Sequence, residues 1–278
     1  MRGHEQTRNE PDEQTLKEDI DSERAHFDQY YRRSHDVARA RGYRVEEDEW
    51  ERRATHPDSR PLDYWEYAFH LLGDLRGKRV LDFGCGGGWI SRLLASAGAR
   101  VAAFDVSIEG CRLTREKLGA HGWYSGSTAV MDGHAIAFRD GSFDAVFISG
   151  VLHHMNINKV ATELHRVLRE GGRVVCYEPL NYGPIMWALR QIWLRLHGLK
   201  EYETTEHEEQ LKEDDLIGFQ RVFAKSHIRK FNFIAKTNRL RNRFGPLALT
   251  LRWGDYLVLS AFPFFRRFCT CVVCRFEK

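Results

Sequence analysis

No stretch of this 278-residue chain holds the roughly 18 consecutive apolar residues that cross a bilayer. The best candidate, Tyr256 to Phe265, is short and contains Pro263. The N-terminus lacks the apolar core of a secretory signal. These absences predict a cytoplasmic protein. Membrane contact is not expected, although Trp253–Phe265 is apolar enough for a partial one. Net charge is also scarce: 42 basic against 39 acidic residues leave +3. That balance excludes bulk attraction to nucleic acid, and the local clusters at Arg239, Arg241 and Arg243 and at Arg266-Arg267 read as solvated faces. Cysteine is sparse, at six residues. Cys269, Cys271 and Cys274 lie in an alternating, β-branched segment that reads as a closing strand rather than a metal site, so no metal is expected.

Residues 1–23 are charged and poor in aromatics, and they predict a disordered or loosely ordered tail. Residues 24–76 carry recurrent aromatics and predict a helical cap, interrupted at Thr55–Pro61 by turn residues. From residue 77 onward, strands alternate with helices. Strands are expected at Val80–Phe83, Arg100–Asp105, Ser127–Met131, Phe143–Ser149 and Arg173–Glu178. Helices fall between, at Trp89–Ala97, Ile108–Leu118 and Lys159–Leu168. This rhythm predicts a parallel sheet with helices on both faces and a site beyond the carboxyl ends of the strands. After Pro179 come apolar insertions at about 182–208 and 238–266, which read as lids over that edge. A further helix at Glu209–Phe223 and strands at His227–Ile234 and Arg267–Phe276 complete the pattern.

The chemistry-bearing residues recur at successive strand ends. Asp82-x-Gly84-x-Gly86-x-Gly88 follows the first strand. Glycine reaches positive φ without penalty and keeps no Cβ between ligand and backbone. The helix that follows leaves unpaired N–H groups at its start. Asp105 ends the second strand, 21 residues after Gly84, where a carboxylate can accept from a ribose diol. Asp132-Gly133-His134 follows the third strand, where a carboxylate can accept from an adenine amino group. Ser149–His154 follows the fourth. The dinucleotide spacing Gly-x-Gly-x-x-Gly is broken, because its third position is Trp89. An NAD-dependent oxidoreductase is thereby disfavoured.

These segments, with Phe104–Ser107, Met131–Phe138 and Leu168–Arg173, resemble the class I S-adenosylmethionine-dependent methyltransferases, particularly those acting on small molecules. The resemblance spans Arg79–Pro179 by motif. It implies a doubly wound, mostly parallel seven-stranded α/β sheet of the Rossmann-like type, with an antiparallel last strand. It implies S-adenosylmethionine as cofactor, with Gly84 and Gly86 beside its methionine part and Asp82 approaching the amino group. Asp105 would hold the ribose, and Val106 would pack on adenine. Asp132, Gly133 and the His134 backbone would meet the adenine edge, and Ser149 would sit near the methionine ammonium. Tyr30 or Tyr31 would close over the carboxylate, with Tyr31 the preferred candidate. The implied reaction is methyl transfer to oxygen or nitrogen, less readily carbon, of a small-molecule acceptor. Candidate bases are His153, His154 and Glu178, since a histidine titrates near neutrality. Other uses of the sulfonium (aminocarboxypropyl transfer, cyclisation, rearrangement) and a non-catalytic binding protein remain alternatives. No nucleic-acid methylation is expected, because no Asn/Asp-Pro-Pro-Tyr/Phe motif follows the fourth strand. A monomer or homodimer is expected.

Overall fold

The computed structural model describes residues 13–43, 63–123, 127–180, 195, 211, 215–233 and 245–278. The loop expected at Thr55–Pro61 and nearly all of the insertion at 182–208 lie outside them. Chain order runs α1 (Glu13–Arg41), α2 (Tyr64–Leu72), β1 (Arg79–Phe83), α3 (Trp89–Ser96), β2 (Arg100–Asp105), α4 (Ile108–Ala120), β3 (Ser127–Val130) and β4 (Phe143–Ser149). A 3₁₀ turn (Leu152–His154) leads to α5 (Ile157–Val167), β5 (Leu168–Pro179), α6 (Asp215–Val222) and β6 (Lys225–Phe231). Helix α7 (Gly245–Ala261), a 3₁₀ turn (Pro263–Phe268) and β7 (Cys271–Glu277) close the chain.

The seven strands form one sheet in the order β3-β2-β1-β4-β5-β7-β6. Strands β1 to β5 pair in parallel, and β7 runs antiparallel to both β5 and β6. The order reverses at β1, between β2 and β4, which is where such sheets open a ligand crevice. Strand interiors are apolar on both faces because each face is covered. Phe147, Val175 and Val273 pack with α2 and α3 in one core. Val146, Val174 and Cys274 pack with α5 and α6 in the other. In β7, Cys271 enters the first core and Cys274 the second, and all six cysteines are buried free thiols.

Several boundaries differ from the sequence reading; β7, for one, runs Cys271–Glu277 rather than Arg267–Phe276, because Pro263–Phe268 forms a 3₁₀ turn before it. Helix α1 runs without a break across residue 23, so the boundary expected there falls inside one helix. Strand β5 begins at Leu168 rather than Arg173, because Leu168 already pairs with Phe143 and the Gly171-Gly172 step is absorbed as a register irregularity. The closing apolar segment also divides, into α7 and a 3₁₀ turn, at Phe262-Pro263.

Candidate active site

The glycine turn after β1 is held from both sides. The N–H groups of Gly84 and Cys85 both donate to the Phe104 carbonyl at the end of β2 (3.0 and 2.9 Å). From α4, Thr114 Oγ1 donates to the Gly86 carbonyl (2.9 Å) and Lys117 Nζ to that of Gly87 (2.7 Å). Gly86 has φ 46°, and a Cβ there would overlap the Tyr31 hydroxyl. Gly88 has φ 78°, and its Cβ would lie 2.7 Å from the Thr114 Cα. The spacing thus lets α1 and α4 close onto bare backbone.

Asp82 lies beneath this turn, fully buried, with Ser91 Oγ donating to its Oδ2 at 2.5 Å. Burial pushes its carboxyl up to about 7, against the lowering effect of Ser91, with Asp105 adding to the rise. It does not line the cavity described below. Asp105 does. Its Oδ2 accepts from the Gly86 N–H and its Oδ1 from the Ser107 N–H, both at 2.8 Å. Burial raises its carboxyl above the usual range, partly offset by those two N–H groups.

Asp132 Oδ1 accepts from the His134 N–H (2.9 Å) and from His134 Nδ1 (2.7 Å). His134 Nε2 accepts from the Asn156 N–H at 3.0 Å, which fixes the ring in its Nδ1–H form. For Asp132, burial raises the carboxyl, but the two His134 bonds outweigh it and hold the group below the ordinary value.

The two adjacent histidines keep their ring centroids 4.1 Å apart but take different partners. His153 Nδ1 meets Glu178 Oε2 at 2.8 Å, and both side chains are buried away from the cavity. Glu178 Oε1 accepts from the N–H groups of Val151 (2.9 Å) and Leu152 (3.0 Å). Three donors thus occupy the Glu178 carboxylate. It braces the loop after β4 and does not reach the cavity. His154 pairs instead through Nδ1 with Glu23 Oε1 of α1 at 2.9 Å. Its ring stands edge-on to Phe27, centroids 6.1 Å apart.

One cavity collects these strand ends. Gly84, Asp105, Val106, Asp132, Gly133, His134, Ser149 and His154 line its floor and walls. Tyr31, Phe27, Glu23 and Ile20 of α1 roof it. Of the sequence candidates, Asp82, His153 and Glu178 stay outside the lining, and Gly86 sits under the Tyr31 ring. Sequence reasoning missed Ile20, Glu23 and Phe27 as site residues. Their spacing with Tyr31, by three and then four residues, is the helical stripe that would have revealed them. It also missed Asp28, whose Oδ1 accepts from Ser107 Oγ (2.6 Å) and the Glu109 N–H (3.2 Å). A carboxylate at the start of α4 satisfies an orphan donor and the helix dipole together, so α1 is latched there. Among the described residues, no group of three or more His, Cys, Asp or Glu is placed to hold a metal ion.

A parallel sheet with its last strand reversed, carrying a glycine turn and acidic strand ends around one cavity, has the architecture of the class I methyltransferase fold. Comparison with known proteins agrees. Residues 81–176 match the family described as "Methyltransferase domain". A ubiquinone biosynthesis O-methyltransferase of Bordetella parapertussis is 34% identical over 116 residues, covering 40% of this chain and 46% of that protein. The chain spans about half the length of the curated relatives it matches. An S-adenosylmethionine-dependent methyltransferase from Mesorhizobium loti superposes with TM-score 0.51 at 19% identity, over 78% of this chain and all of that one. A phosphoethanolamine N-methyltransferase of Haemonchus contortus, solved with S-adenosylhomocysteine, gives 0.51 at 18% identity over 77% of this chain and 52% of that one. Within residues 81–176 the chain matches a methyltransferase domain, and S-adenosylmethionine is the cofactor that such a domain implies. The residues present fit it: a turn that admits backbone approach, two carboxylates and an apolar slot between Phe104, Met131 and Met155.

Proposed function

We propose that the chain transfers the methyl group of S-adenosylmethionine to an oxygen of a small, largely apolar acceptor. The observation that carries this reading is that Gly84, Asp105, Asp132, Ser149 and His154, from four different strand ends, meet around one roofed cavity. The relatives named as O-methyltransferases support oxygen over nitrogen.

In this reading Asp105 accepts from the ribose hydroxyls while the Gly86 and Ser107 N–H groups hold its carboxylate in place. Asp132, fixed by His134, receives the adenine amino group. When bound, the cofactor supplies a methyl group already activated as a sulfonium, so one in-line displacement forms the O–C bond and leaves the C–S electron pair on sulfur. The protein then contributes mainly orientation and exclusion of water. His154 takes the proton of the acceptor hydroxyl. Its Nδ1–H donates to the Glu23 carboxylate, which leaves Nε2 as the nitrogen that accepts the proton.

Calorimetry with S-adenosylhomocysteine and turnover on a panel of hydroxylated aromatic acceptors test this. Asp105→Ala is expected to weaken cofactor binding at least tenfold. His154→Gln is expected to lower kcat by about 10²–10⁴ with cofactor affinity retained. Unchanged affinity in the first variant sinks the cofactor assignment, and unchanged kcat in the second sinks the base. Methylthioadenosine as product, instead of S-adenosylhomocysteine, would overturn methyl transfer itself.

A further inference from the structure

The charge of this chain is strongly polarised. Residues 227–267 hold nine Arg and Lys against the single acid Asp255, so the rest of the chain holds thirty-three against thirty-eight. A near-neutral total therefore conceals one basic segment on an otherwise acidic protein. Within it, α7 buries both of its charged side chains, Arg252 and Asp255. Its outward face is Trp253, Tyr256 and Leu257, exposed at 37%, 39% and 60%. The following 3₁₀ turn adds Phe262 and Phe264, each 60% exposed. Trp253 and Tyr256 thus stay partly exposed and Leu257 and Phe264 largely so.

Cations border this strip. Arg266 and Arg267 are exposed, and the Arg267 guanidinium lies 4.0 Å over the Phe264 ring. Beside α7 a cleft of about 380 Å³ opens against β6, walled by Arg229, Lys230 and Arg266. Arg229 stacks on Tyr256 at 5.3 Å, which joins the cleft to the apolar strip. The carboxylates at the cleft are engaged: Asp63 with Arg252 at 3.0 Å and Asp255 with the Phe233 N–H at 3.2 Å. No helix among the described residues is long and apolar enough to cross a membrane. Aromatic and aliphatic side chains on one face, cations at its border and insufficient length to span are the marks of a helix that lies in a bilayer interface.

We propose that α7 and the following 3₁₀ turn dock the protein on an anionic phospholipid surface, with Leu257, Phe262 and Phe264 entering the acyl boundary and Arg229, Lys230, Arg266 and Arg267 meeting headgroup phosphates. This departs from the expectation drawn from the sequence, where the same segment read as an interrupted apolar run. Phe231 and Pro179 share the partner Cys271, so the cleft lies at the same sheet edge as the cofactor cavity. Docking therefore turns that edge toward the lipid, where apolar acceptors concentrate.

Co-sedimentation of the full chain with phosphatidylcholine vesicles, with and without phosphatidylglycerol, tests the proposal. Binding is expected only with phosphatidylglycerol, and raised salt should release it. Arg266→Gln with Arg267→Gln should weaken binding about 25-fold, at roughly fivefold per basic residue. Leu257→Asp with Phe264→Asp should abolish it. S-adenosylhomocysteine affinity, measured on the same preparations, reports that each variant is folded. No sedimentation, equal sedimentation on both vesicle types, or variants that bind like the parent would each overturn the proposal without touching the methyltransferase reading. Capture by RNA with vesicles left unbound would overturn it too.

Discussion

Replacing Asp82 by Asn should make the protein more stable at alkaline pH, and the gain should vanish on acidification. Asp82 is buried under the glycine turn with Ser91 Oγ as donor, and its carboxyl is raised from 3.8 to about 7. Its folded-state proton affinity therefore exceeds that of the unfolded chain. Stability from this group is fully present below pH 4, falls as pH climbs from about 4 to 7, and levels off above. Three units at 1.36 kcal/mol each set the loss at about 4 kcal/mol. Asparagine keeps an acceptor for Ser91 and has no proton to lose, so the variant lacks this slope. Urea unfolding of both proteins from pH 4.5 to 8.5 measures the difference. It is expected to grow with pH and reach about 4 kcal/mol in favour of Asp82→Asn. Asp105 also has a raised carboxyl, but it is present in both proteins and largely cancels in the difference. A difference that stays flat across this range would refute the argument that Asp82 is held protonated by burial.

Gly86→Ala adds a Cβ where φ is 46° and the Tyr31 hydroxyl already stands. It should cost about 1–3 kcal/mol in stability and weaken S-adenosylhomocysteine binding more than tenfold. Tyr31→Ala should recover part of the stability by removing the clash; no recovery would place the cost in the backbone alone. Glu178→Ala strips the acceptor from two main-chain N–H groups and from His153. At about 1–3 kcal/mol per orphaned buried donor, thermal unfolding should shift by more than 5 °C, and a shift within error would contradict its bracing role.

Residues with strong local signals are legible in the sequence itself. The limits of β2 and β4 coincide with the expected Arg100–Asp105 and Phe143–Ser149, since apolar runs bounded by turn residues define them. Asp105 and Asp132 follow from counting strand ends, and the cavity collects both. Long-range bonds stay hidden. Glu178 reads as a possible base because it ends a strand, yet its donors lie 25–27 residues earlier in the chain. Helix α1 reads partly as tail because its apolar positions are few and its first two turns are charged. What fixes it is Asp28 on α4 and Glu23 on His154, contacts that no local pattern announces. The outward face of α7 misleads for the opposite reason. The segment reads as a lid, and only the fold shows which of its side chains stay exposed.

The latch between Asp28 and α4 also sets an order of events during synthesis. Helix α1 leaves the ribosome before its partners exist. Ser107 and Glu109 follow Asp28 by 79 and 81 residues, and the partner of Glu23 is His154, farther still. The β1–β2 pairing joins residues only 21 apart, such as Arg79 and Arg100, whereas the contacts of α1 wait for α4 and for the turn after β4. The roof of the cavity is then closed by residues made well after its own helix. A nascent chain halted before residue 154 would own the glycine turn, both acidic strand ends and the partners of Asp28, and still lack the partner of Glu23.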